Sequence, residues 1–242
     1  MKNIKINIGK KMNTKDLIEK IIYNNKSIYK KKLVIDTFGN VSLRSNSKVF
    51  IKPSGINIDD IMEEDISKID IHSGQTISGK KPSSDTPTHL ELYRAFPEIG
   101  GIVHTHSLYA TAWAQAAIPI PCYGTTHADY WQKEVPVTRQ LKEEEINGDY
   151  EIETGKVIVE TLKSLRLSPL DCPGILVAHH GPFTWGASVE DAVRHAELLE
   201  YVARLAMITK QINHEANEID PLLHQRHFSR KHGPNAYYGQ TK

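Results

Sequence analysis

The sequence predicts a mixed α/β fold, and three observations carry that expectation. Short apolar runs rich in β-branched residues, such as Val49-Phe50-Ile51, Ile102-Val103 and Ile175-Leu176-Val177, have strand composition and length. Other stretches space their apolar residues at helical intervals, notably Leu17, Ile18, Ile21 and Ile22, and the series Val189, Ala192, Val193, Ala196, Leu199, Ala203 and Ala206. Gly, Pro, Asn and Ser separate the two kinds of segment.

Taken in order, residues 1–11 are basic and aperiodic and read as an N-terminal extension. A helix capped by Asn13 or Thr14 follows and dissolves in the polar run Asn24-Asn25-Lys26-Ser27. Leu33-Val34-Ile35 and the segment beginning at Val41 are strand-like, with Gly39-Asn40 as a turn between them, and residues 49–52 add a second arm. Pro53-Ser54-Gly55 closes that arm. Gly39 and Gly55 either permit tight turns or present backbone amides to an anion. Residues 70–79 read as a hairpin with Ser73-Gly74 at its tip. A helix then starts at Asp85, with Pro87 in its first turn and Thr88-x-x-Glu91 as a capping box, and Pro97 ends it. Ser83, Ser84 and Asp85 at that helix start are either a cap or an anion seat.

Residues 107–117 are alanine-rich and helical, and residues 124–130 concentrate hydroxyls, His127 and Asp129. Residues 142–150 are charged and read as solvated, and residues 154–165 as a helix. An apolar strand runs from Ile175 into His179-His180-Gly181, and a long packing helix starts at Ser188. His195 lies within that helix and reads as a satisfied structural histidine. The tail from His224 to Gln240 is basic and aromatic, suited either to mobility or to closing over an anionic substrate.

Composition narrows the function classes. A net charge of +1 over 242 residues gives no electrostatic footprint for nucleic acid or a membrane surface. No apolar run approaches the roughly 20 residues of a spanning helix, and the N-terminus lacks a signal-peptide core. Cys122 and Cys172 form no motif, which points to a reducing, cytoplasmic setting. Neither a dinucleotide or Walker loop nor a nucleophile elbow is present.

Histidine is the outlier, at 12 residues. On a strand, residues two apart face the same way, so His104 and His106 project together beside Thr105. Two imidazoles on one face make half of a metal site, and a second apolar strand ending in His179-His180 offers a third imidazole.

Six motifs then fall in one order: Thr37-Phe38-Gly39-Asn40-Val41-Ser42; Lys52-Pro53-Ser54-Gly55; Lys81-Pro82-Ser83-Ser84-Asp85-Thr86-Pro87-Thr88-His89; Gly101-Ile102-Val103-His104-Thr105-His106-Ser107; Gly124-Thr125-Thr126-His127-Ala128-Asp129-Tyr130; and His180-Gly181-Pro182-Phe183-Thr184-Trp185-Gly186. With Arg230-Lys231-His232-Gly233 and Tyr237-Tyr238-Gly239-Gln240 closing the chain, this pattern resembles the class II aldolase/epimerase family, over about Met12 to Gln240 as one domain. The resemblance implies a three-layer α/β/α sandwich around a mostly antiparallel sheet, in a cyclic homotetramer with active sites between subunits. It implies one zinc ion per subunit at His104, His106 and His180, with Asp85 in the metal site. It implies substrate contacts from Gly39, Asn40, Lys52, Ser54, Gly55, Ser83, Ser84 and His227. Asp129 and Tyr238 are its implied proton-transfer groups, delivered from a neighbouring subunit. The ligand position is the His before Gly181, with His179 beside it, and strand alternation selects His180 if the strand runs regularly to its end.

The implied reaction is epimerisation of L-ribulose 5-phosphate to D-xylulose 5-phosphate. C4 lies β to the ketose carbonyl, so its hydrogen is not acidic and simple proton exchange cannot invert it. Opening and resealing C3–C4 can, and a Lewis acid suits the enediolate that forms. Related aldolases carry Glu where Asp85 stands, which favours an epimerase over an aldolase. A metal-bearing binding protein without catalysis is the third reading, opposed by the paired acid–base candidates.

Overall fold

The computed structural model describes residues 13–232 and 236–237. The expected 1–11 extension and Tyr238 lie outside them. Seven strands form one sheet in the order β4-β3-β2-β1-β5-β7-β6, and every neighbouring pair is antiparallel. They are β1 (Asn40–Ser45), β2 (Lys48–Ile51), β3 (Ser67–Asp70), β4 (Thr76–Ser78), β5 (Gly101–His104), β6 (Gly174–Val177) and β7 (Gly181–Gly186). The helices are α1 (Thr14–Lys30), α2 (Thr86–Ala95), α3 (Leu108–Ala116), α4 (Thr125–Ala128), α5 (Glu143–Asn147), α6 (Tyr150–Ser164), α7 (Val189–Ile212) and α8 (Pro221–Ser229). This is the mixed α/β architecture that the sequence predicts.

Strand alternation divides the core between two faces. Val41, Leu43, Phe50 and Val103 pack with α1 and the start of α7. Val49, Ile51, Ile69 and Ile102 face the other way, toward α2 and α6. Polar groups on that second face pair internally: Ser42 Oγ lies 2.7 Å from His89 Nδ1 and 2.9 Å from Tyr93 Oη.

Several expected boundaries move, each for a local reason. Helix α1 does not dissolve at Asn24 but runs to Lys30. The side-chain amides of Asn24 and Asn25 donate back to the Lys20 and Ile21 carbonyls, and both residues are buried. Asn25 Oδ1 also accepts the Val41 amide at 3.1 Å, tying α1 to the start of β1. Asn25→Ala is therefore expected to cost roughly 1–3 kcal/mol by orphaning that buried amide, measured by denaturant unfolding; a cost near zero sinks the account.

Residues 33–35 are not a strand, and the hairpin turn is Asn46-Ser47, where Asn46 takes the left-handed φ of +54°. Asn tolerates that region better than most residues. Gly39 is left-handed too, at φ +90°, and a methyl there would overlap Val34 and stand 3.0 Å from the His104 carbonyl. Thr88 and Glu91 form no capping box: Thr88 Oγ1 donates to the Glu151 carbonyl at 2.6 Å, and Glu91 pairs with Arg94. That bond joins α2 to α6, where Gly155 admits Glu91 so closely that a methyl would collide with it.

The charged stretch before α6 contains α5, tied to the chain through Glu145 and Arg139. The C-terminal tail is partly helical, as α8, capped by Asp220. The β6 strand stops at Val177, and a turn over residues 178–180 leads into β7, a strand that the sequence reading did not separate.

Candidate metal centre and substrate cavity

The site forms where β1, β5 and β7 meet loops from three parts of the chain. His104 is the last residue of β5, paired with Asn40 on one side and Phe183 on the other. It is 1% exposed and stacks on the Phe183 ring at 4.1 Å. Its Nδ1 lies 3.0 Å from the Pro182 carbonyl, so Nδ1–H donates there and Nε2 keeps its lone pair. His106 lies just beyond the strand, with its Nε2 3.1 Å from His104 Nε2. Its ring also packs against Phe38, 5.6 Å away.

The third imidazole is His180, and the expected reason for choosing it does not hold. No regular strand reaches it. His179 instead takes a left-handed φ of +62°. Its amide donates to the Ala114 carbonyl and its ring lies against the Gln115 carbonyl, toward α3. His180 is thereby turned toward His104, with ring centroids 4.7 Å apart. The ligand atoms of His104, His106 and His180 all lie within 4.8 Å of one another.

Burial holds these imidazoles neutral. His104 is pushed down to about 3 by desolvation, and His106 and His180 are lowered by the same cause. Neutral nitrogen donors, close together and with one tautomer fixed from behind, suit a divalent cation.

Asp85 begins α2 but makes no capping bond with its side chain. Its Oδ2 accepts from Asn40 Nδ2 at 2.6 Å and stands 4.0 Å from His104 Nε2. Burial by itself would raise its carboxyl, but the facing imidazoles and the Asn40 amide outweigh that and lower it. Asn40 Nδ2 also bonds to Ser83 Oγ, while Asn40 Oδ1 is buried without a partner among the described residues.

The imidazoles and Asp85 border a cavity of about 350 Å³. Gly39, Asn40, Lys52, Ser54, Gly55, Ser83 and Ser84 line it as well, beside Thr37 and Phe38, so every predicted substrate contact except His227 is there. Hydrogen bonds bring the two serine loops together: Ser54 N–H donates to the Lys81 carbonyl and Ser83 N–H to that of Lys52. Lys52 is 2% exposed, donates to the Thr37 carbonyl, and has its pKa lowered by burial against the opposing pull of Asp85. Gly55 is left-handed, with open space where a Cβ would stand.

Asp129 and His227 are placed elsewhere, side by side at the junction of α4 and α8. Arg230 grips Asp129 with two bonds of 2.9 and 2.6 Å, and His227 Nδ1 lies 3.0 Å from its Oδ1. Neither residue lines the cavity of its own chain. The Tyr237 amide donates to the Arg230 carbonyl. Sequence reading missed Tyr150, whose hydroxyl approaches His180; the acidic first turn with Glu151 and Glu153 was the available signal for a helix starting there.

The three imidazoles, Asp85 and the serine–glycine loops thus share one cavity beside the antiparallel sheet. Residues 19–207 match the family described as Class II Aldolase and Adducin N-terminal domain, and the chain belongs to that family. Class II aldolases are typically metal-dependent, and the three imidazoles form a group able to hold such an ion. The structure is similar to an L-fuculose 1-phosphate aldolase, at 25% identity and a TM-score of 0.76, covering 92% of this chain and 99% of that one. It is also similar to YgbL from Klebsiella pneumoniae, at 25% identity and a TM-score of 0.71 over 89% and 99% of the two chains. A sugar-phosphate aldolase from Thermotoga maritima shares the fold at 18% identity and a TM-score of 0.63, over 82% and 96%. No described helix is long and apolar enough to cross a membrane.

Proposed function

We propose that the chain converts L-ribulose 5-phosphate to D-xylulose 5-phosphate by opening and resealing the C3–C4 bond. The observation that carries this reading is the single cavity joining three neutral imidazoles and Asp85 to a serine–glycine seat with a buried lysine. The exposed backbone at Gly55 and Ser84, with the hydroxyls of Ser54, Ser83 and Ser84, suits a phosphate, and the Lys52 ammonium suits its charge. The unpartnered Asn40 oxygen suits a sugar hydroxyl. A divalent cation, zinc in this reading, supplies Lewis acidity for the negative charge the ketose oxygens acquire.

Proton movements fall to the protein. A base takes the 4-hydroxyl proton, C4 becomes a carbonyl as C3–C4 breaks, and the bonding pair passes to the three-carbon enediolate. The glycolaldehyde phosphate rotates, the bond reforms on its other face, and an acid returns a proton to the C4 oxygen. Inversion therefore needs one proton-transfer group per face, and Asp129 and Tyr238 are assigned to them. Because Asp129 and His227 stand off the cavity of their own chain, a neighbouring copy delivers them, in a cytoplasmic homotetramer.

Similarity to L-fuculose 1-phosphate aldolase favours a second reading, net cleavage. Asp85, at the position where related aldolases carry Glu, supports epimerisation. Incubating zinc-loaded protein with L-ribulose 5-phosphate separates the two. D-xylulose 5-phosphate is the expected product; accumulation of free dihydroxyacetone and glycolaldehyde phosphate instead establishes the aldolase.

A further inference from the structure

We infer that the Tyr150 hydroxyl orients the His180 imidazole for a divalent cation, an inference that rests on the metal-centre reading above. Of the three imidazoles, His104 is fixed by a strand on each side, by the Phe183 stack and by the Pro182 carbonyl. His180 has no such frame. It is the last residue of a turn that contains the left-handed His179. Something other than strand geometry must choose its ring orientation.

Tyr150 is placed to do so. Its hydroxyl lies 3.4 Å from His180 Nδ1, and the two rings are 6.2 Å apart and inclined by 37°. His180 borders the cavity and Tyr150 does not, so the hydroxyl meets the imidazole from behind. A phenol oxygen accepting Nδ1–H leaves the other ring nitrogen with its lone pair free toward the cavity. The Pro182 carbonyl holds His104 in the same way. Tyr150 is therefore a positioning residue, not a catalytic one.

The tyrosine is itself held. Thr154 Oγ1 donates to its carbonyl at 2.8 Å, and Thr88 Oγ1 donates to the next carbonyl, that of Glu151, at 2.6 Å. Gly155 lets α6 close on α2. The helix pair that places Asp85 at the start of α2 thus also places Tyr150 at the start of α6.

Cobalt(II) affinity, measured by chelator competition on the full chain, tests this with Tyr150→Phe and Tyr150→Ala beside wild type. Loss of an outer hydrogen-bond partner typically costs roughly 10–100-fold in metal affinity. The expected result is such a loss in Tyr150→Phe, about equal to that in Tyr150→Ala, with the metal-free melting temperature of Tyr150→Phe unchanged. A packing role predicts the opposite order, with Phe close to wild type. Cobalt binding by Tyr150→Phe within about twofold of wild type overturns the inference and leaves the metal centre standing. Should wild type itself bind no cobalt, both fall. If Tyr150→Phe is less stable, the visible cobalt spectrum decides, and unchanged band positions overturn the inference.

Discussion

His104→Ala is expected to abolish stoichiometric metal binding and to lower turnover by roughly 10³-fold or more. Lewis-acid stabilisation of developing charge is worth several kcal/mol, and each 1.36 kcal/mol is a factor of ten. The effect should be largest here because His104 is the most constrained of the three imidazoles: 1% exposed, locked between β1 and β7, and neutral through burial. Removing it leaves two nitrogen donors, one of them on a turn. His179→Ala is the control, since that ring turns away toward Gln115 and should keep both metal and activity. Elemental analysis with steady-state kinetics on both variants checks the pair. Normal metal content in His104→Ala, or its loss in His179→Ala, would mean the centre has been misread.

The contrast between His179 and His180 also shows where sequence reading reaches its limit. The period of two on His104-Thr105-His106 brings the two imidazoles to one side as expected, although β5 ends at His104 and His106 lies just beyond it. The same rule applied to residues 175–181 selects His180 for the wrong reason. A left-handed residue in a turn, not alternation, aims that ring, and a backbone φ at a non-glycine residue leaves little trace in sequence. Asn24 and Asn25 mislead in a similar way. They resemble a helix stop, but in burial their amides bond back to the preceding turn, and tertiary contact overrides propensity. The cavity residues were legible only through the order of the motifs: taken singly, Gly39 and Gly55 read equally as tight turns and Ser83-Ser84-Asp85 as a helix cap, and the fold gathers them around one cavity. Tyr150 was not legible. It reaches His180 only through the packing of α6 on α2, which no short spacing records.

Asp129→Asn is expected to reduce turnover by roughly 10²–10⁴-fold, the usual contribution of one acid–base group, with metal content unchanged. The surroundings of this carboxyl pull in two directions. Burial alone would raise it, yet the bonds from Arg230 and His227 prevail and hold it below the ordinary carboxylate range. A carboxylate held so is a weak base in isolation. At neutral pH, however, it is reliably unprotonated, fixed in direction, and ringed by the tail residues Arg230, His227 and Lys231. Such a group can take a proton from a hydroxyl whose conjugate base forms only as the adjacent carbon–carbon bond breaks. It can return the proton in the reverse step.

The same clamp has a stability signature that is independent of turnover. A carboxyl whose folded pKa is lowered stabilises the fold above its unfolded value of about 3.9, and that contribution fades as pH falls through the folded pKa. The Asp129→Asn variant should therefore melt below wild type at neutral pH, and the gap should close on acidification below about pH 4. Kinetics, metal analysis and melting across pH form one test. Unchanged turnover with a pH-dependent melting gap would reduce Asp129 to a tie between α4 and α8. Loss of turnover with full metal content and the same gap makes that tie the device that holds a proton-transfer group in place.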